Sequence, residues 1–177
     1  SLFTIARRRI LWLLILVLAN GLTTKVIAMN DQILKEIVLL SAFIPLLIGT
    51  GGNVGAQSST VVIRGLSTQK LKSLGAIKAV VKEAITGALL GILMMLVVFP
   101  FAWWQGEGPL IASAVGISLI SITTLAATTG AILPLLFDKM KLDPALMSSP
   151  FITTVTDIAG VFIYLSTAKW LLGFQIV

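Results

Sequence analysis

The stretch that decides the fold is IVLLSAFIPLLIGTGGNVGAQSSTVVI, from Ile37 to Ile63, which carries no charged side chain. Three others match it. No charge occurs from Ile10 to Thr24, from Ala84 to Gly106, or from Gly108 to Phe137. A bilayer core of about 30 Å needs roughly 20 apolar residues in a helix. Backbone groups in lipid must bond internally, so these runs read as transmembrane helices. They are too long and unbroken for the alternating strands of a membrane barrel.

The rest of the chain supports this reading. Of its 177 residues, 57% are hydrophobic and 11% charged, and mean hydropathy is +1.05. Soluble domains run near 25% charged, so lipid is the solvent implied. We expect an all-α polytopic membrane protein with five spans, at about Ile10–Ala28, Ile37–Ile63, Ala84–Trp104, Leu110–Phe137, and from Asp143-Pro144 to Leu172.

Charge fixes the expected orientation. With the N-terminus in the cytoplasm, Arg7, Arg8, Arg9, Arg64, Lys70, Lys72, Lys78, Lys82, Lys139 and Lys141 lie inside. Only Lys25, Lys35 and Lys169 lie outside, as the positive-inside rule requires. Five spans then put the C-terminus outside. Trp103, Trp104 and Trp170 fall at the outer interface, where amphipathic rings gather. Ser67–Glu83 reads as a basic cytoplasmic helix or loop whose lysines face anionic headgroups. The net charge of +6 is therefore read as membrane anchoring, with no nucleic-acid partner. An Arg-rich start before an apolar run also fits a signal peptide, but it fits a cytoplasmic flank equally well. The start at Ser1, almost directly before a span, suggests an excised piece of a longer protein.

Cysteine and histidine are both absent. That excludes thiolate or imidazole metal sites and His-based catalysis, leaving oxygen ligands suited to hard cations. An intramembrane hydrolase is disfavoured for the same reason, and no Lys lies within the core of a span to form a dyad with Ser.

Two constellations stand out. Gly49-Thr50-Gly51-Gly52-Asn53-Val54-Gly55 lies inside the second span, and each glycine weakens a helix by about 1 kcal/mol relative to Ala. Such a segment either brings backbone carbonyls near an ion or packs closely on another helix. Asn53, Gln57 and Thr60 line one face of it. In the third span, Gly87 and Gly91 read as a packing pair.

The second constellation begins at Asp143-Pro144, a helix cap followed by a first-turn proline. Pro150 then withholds a donor from the carbonyl of Leu146 and favours a kink. Thr153, Asp157, Gly160 and Tyr164 share a helical stripe. Asp157 is the only charge between Asp143 and Lys169. A carboxylate at mid-membrane costs roughly 2.5–3.5 kcal/mol or more and marks an ion or proton path. The rival reading is a protonated Asp157 bonded to a neighbouring helix.

The motifs GGNVGAQSSTVVIRGLS (Gly51–Ser67), DPAL (from Asp143) and PFITTVTDIAG (Pro150–Gly160) resemble the transmembrane domain of the MgtE magnesium channel family. The resemblance covers nearly the whole chain. It implies one transmembrane ion-conducting domain over 1–177, without the cytoplasmic N-terminal and CBS domains of the family. It implies a homodimer in a bacterial inner membrane, with a Mg²⁺ pore between the second and fifth spans of both subunits. Asp157 would bind the hydrated ion, with the backbone carbonyls near Gly49, Gly52 and Thr153 completing its surroundings. Asn53, Gln57, Ser149, Thr154 and Gly160 would line the pore. Ser149 stands where relatives commonly carry Asn. The alternative function is a cation-coupled secondary transporter that uses Asp157 as a proton or Na⁺ site.

Overall fold

The computed structural model describes residues 2–68 and 75–173. Lys70 and Lys72, expected on the basic cytoplasmic stretch, lie outside the described residues. All regular elements among the described residues are helical. They are α1 (Leu2–Met29), α2 (Asp31–Glu36), α3 (Leu39–Ser67), α4 (Ala76–Ala102), α5 (Pro109–Lys139) and α6 (Pro144–Leu172). A π-helical turn, Trp103–Glu107, joins α4 to α5. It ends at Gly108, whose φ of 86° favours glycine, and Pro109 then opens α5.

Among the described residues, four helices are long and apolar enough to cross a membrane: α3, α4 with its following turn, α5, and α6 from Ser148. The expected first span falls within α1, whose apolar Leu13–Met29 portion is shorter.

α5 is the central post, packed on by α4, α3 and α6, while α1 lies against α6. Its sequence explains this position. Ala112, Ala114, Gly116, Ser118, Ala126, Ala127, Gly130 and Ala131 are buried along it. Small residues let helix backbones approach closely, which drives helix association where lipid removes the hydrophobic effect between spans. Gly87 and Gly91 of α4 seat against Thr123 and Ile120 of α5, as the packing reading expects. Gly130 of α5 rests on the backbone of Gly55 in α3. The outer face of α4 exposes Ile85, Leu89, Leu93, Leu96 and Val97, an apolar surface suited to lipid.

Three features add to the expectation. The third span begins at Ala76 rather than Ala84. Lys78 and Lys82 point outward from this extra length, and Glu83 is buried. Long lysine stems cover apolar surface while their ammonium groups reach the interface, so charge did not end the helix. The second and fifth spans are unbroken helices, despite the glycines of one and Pro150 of the other. Finally, α2 is a short helix that the hydropathy pattern does not announce. It buries Ile33 and leaves an Asp31–Lys35 ion pair exposed.

Candidate functional site

The ends of α6 follow from its sequence. The Asp143 side chain accepts a hydrogen bond from the Ala145 N–H at 2.9 Å, Pro144 occupies the first turn, and Gly173 at φ 74° closes the helix. The helix between them is held against α3 at closely matched positions. A Cβ added at Gly51 would collide with Thr156 and Ile122, and one at Gly55 with Ile152. A Cβ at Gly52 would stand 4.0 Å from the Thr153 methyl. These pairings run in opposite sequence directions, so α3 and α6 are antiparallel. Asp157, one turn beyond Thr153, falls level with Gly49.

The glycine cluster thus divides by face. Gly51 and Gly55 are buried and serve packing, while Gly49 is exposed and Gly52 half-buried. Exposed Asn53, Ala56, Gln57, Thr60 and Arg64 continue the open face towards the C-terminal end of α3. On α6 the corresponding face presents exposed Ala145, Ser149 and Thr153, then half-buried Asp157. The fold therefore brings Gly49, Gly52, Thr153 and Asp157 together on one seam. It places Asn53, Gln57 and Ser149 on the same open strip. Thr154 is half-buried beside it.

Two stripe members lie elsewhere. Gly160 is buried, with an added Cβ 3.6 Å from Ile48 and 3.7 Å from Ile122. Tyr164 is fully buried, and its hydroxyl donates to the Leu40 carbonyl at 3.1 Å. It ties α6 to the start of α3.

The polar groups on the strip are unequally engaged. The Thr153 hydroxyl donates back to the carbonyls of Pro150 (2.9 Å) and Ser149 (3.3 Å). Thr60 does the same to Ala56 at 2.9 Å, and buried Thr156 to Ile152 at 2.7 Å. Asp157 has neither a hydrogen-bond nor an ion-pair partner among the described residues. No group of three or more acidic residues that could cage a metal occurs among them either. The chemistry available is one free carboxylate per chain, surrounded by hydroxyls, amides and helix carbonyls. A carbonyl already in a helix keeps a second lone pair, and the missing side chains at Gly49 and Gly52 leave those carbonyls accessible.

Below Asp157, the strip widens into a cavity of about 480 Å³ lined by Ser59, Thr60, Ile63, Arg64, Ser67 and Ser149, among others. Sequence reasoning counted Arg64 only as an orientation signal. Its spacing of four from Thr60 continues the polar stripe, and that signal could have placed it here.

A family model described as MgtE, divalent cation transporter, matches residues 44–167, which include the whole seam. A magnesium transporter MgtE from Thermus thermophilus is 38% identical over 164 residues, 93% of this chain and 36% of its own length. Proteins of the same name from Bacillus subtilis and Enterococcus faecalis are 33% and 34% identical, over 94% and 93% of the chain and 37% and 36% of their own lengths. The chain thus spans a little over a third of these curated relatives.

Proposed function

Because the chain belongs to the MgtE family of divalent cation transporters, we propose that it forms the Mg²⁺-conducting pore of a homodimeric channel in a bacterial plasma membrane. In this reading α1 is the first of five spans, the N-terminus is cytoplasmic and the C-terminus outside. The observation that carries the proposal is Asp157: a partnerless carboxylate within a span, level with Gly49 and one turn from Gly52 and Thr153 on a largely exposed polar strip. Lipid is a poor neighbour for that strip, since polar groups in hydrocarbon need partners. A second copy related by a two-fold axis presents the same strip to it, the usual self-complementary interface of a dimer.

The pairing suits the cation. Mg²⁺ dehydrates reluctantly and holds its waters in near-octahedral geometry. A pore that stripped it bare would have to replace all of that hydration. A wider site can instead accept hydrogen bonds from the coordinated waters. Two Asp157 carboxylates facing each other repel when the site is empty, and a divalent ion between them removes the repulsion. Carbonyls of the glycine segment and the side-chain oxygens of Asn53, Gln57 and Ser149 provide further acceptors along the path. The sites stay weak because contact is through water, which lets the ion leave.

The relatives are named transporters, and no enzymatic role is proposed for the chain. Bilayer recording of the reconstituted protein tests the mechanism. A channel passes Mg²⁺ current whose reversal potential follows the Mg²⁺ gradient alone. A reversal potential that also shifts with the proton or Na⁺ gradient in a fixed ratio would instead make Asp157 the coupling site of an exchanger.

A further inference from the structure

At the basic end of the bundle, α4 and α5 leave an open groove of about 540 Å³ between them. Ile77, Val80 and Val81 of α4 face Ile132, Leu135 and Leu136 of α5 across it. A second groove of about 370 Å³ runs on the other side of the same Ile77–Val81 ridge. Lys78 and Lys82 lie along this second groove, and Lys139 and Asp138 along the first. Ile77 is 81% exposed. Lys78, Lys82 and Lys139 have no ion-pair partner among the described residues.

We propose that this double groove is a binding site for one anionic glycerophospholipid of the leaflet at the basic end of the bundle. The two acyl chains lie on either side of the Ile77–Val81 ridge. The headgroup phosphate sits among Lys78, Lys82 and Lys139. Charge complementarity selects the headgroup: three unpaired lysines stand against a single aspartate, Asp138, and a zwitterionic headgroup would bring no net charge to match them. The apolar lining selects a lipid over a soluble anion, because the grooves run on into the exposed Ile85 and Leu89 of α4. Lysines at this depth extend their stems along the helix and raise their ammonium groups to the interface. The inference requires α4 and α5 to cross the membrane and does not depend on the pore.

Native mass spectrometry of the intact chain, released from detergent with phosphatidylglycerol or phosphatidylcholine of equal acyl length, tests it. One phosphatidylglycerol should be retained per chain, at least ten-fold more tightly than phosphatidylcholine. A lysine near an anionic surface contributes about five-fold in binding. Each of Lys78→Gln, Lys82→Gln and Lys139→Gln should lower retention by about that factor, and the triple variant should abolish the preference. Lys25→Gln with Lys35→Gln, at the other end, should leave it unchanged. Dihexanoyl phosphatidylglycerol, with chains too short for the grooves, should bind far more weakly. If the triple variant does not fold, the single variants decide. Equal retention of both lipids, a preference surviving the lysine substitutions, or equal binding of the short-chain lipid would overturn the proposal.

Discussion

Replacing Asp157 by Asn removes charge while keeping size and hydrogen-bonding capacity. The carboxylate has no partner among the described residues, so the substitution breaks no bond that holds the fold. Thermal unfolding should therefore match the wild type. Ion binding should not. At an effective dielectric of about 20, a unit charge about 5 Å from a divalent ion is worth roughly 6–7 kcal/mol. Two symmetry-related carboxylates bring this to about 13 kcal/mol before screening. Asp157 is only half-buried and meets the ion through water, so most of that is lost to solvent. If about a tenth to a fifth survives, about 1.3–2.6 kcal/mol remains, or roughly ten- to a hundred-fold in affinity. The assay is Mg²⁺ block of monovalent current in a planar bilayer. Half-block should shift to Mg²⁺ concentrations higher by that factor, and Asp157→Ala should abolish it. Wild-type block in a well-folded Asp157→Asn protein would show that the residue is structural and the electrostatic argument wrong.

The two faces of the glycine cluster should respond oppositely. Gly55→Ala places a methyl 2.5 Å from Ile152 and 3.2 Å from the Ala126 carbonyl, and should cost about 1–3 kcal/mol in thermal or denaturant unfolding. Gly49→Ala meets nothing within 4 Å in the protomer, so it should gain up to about 1 kcal/mol of helix propensity while lowering Mg²⁺ current. Tyr164→Phe removes the bond to the Leu40 carbonyl and should cost about 1 kcal/mol in stability, leaving Mg²⁺ block unchanged. Cysteines at exposed Asn53 and Thr153 should react with water-soluble thiol reagents in a conducting protein, whereas cysteines at buried Val54 and Thr156 should be protected.

The long apolar runs were legible because lipid leaves the backbone no alternative to the helix, and their limits at α3, α5 and α6 fall within a few residues of expectation. The Asp143-Pro144 cap was legible because its chemistry is local. Asp157 stood out because a lone carboxylate in a span has few explanations. What the sequence could not divide was the glycine cluster, since packing and ion-lining both favour a missing side chain. Only the register with Ile122, Ala126 and Thr156 shows that Gly51 and Gly55 belong to packing. The stripe through Gly160 and Tyr164 failed to continue for a related reason. Helical spacing gives a shared face, but α3 and α5 decide where along it the face is covered. The start of α4 was missed because Lys78, Lys82 and Glu83 read as a separate cytoplasmic helix or loop, while two snorkelling lysines and a carboxyl turned inward fit a continuation of the span as well.

The most direct test of the central claim is a structure of the protein in a lipid bilayer with Mg²⁺ present. The account predicts a dimer whose two-fold axis runs between the α3–α6 seams, with octahedral density on that axis and both Asp157 carboxylates about 4–5 Å from its centre, one water away. A dimer joined through other helices, or an axis between the Asp157 side chains that holds no ion, would contradict it.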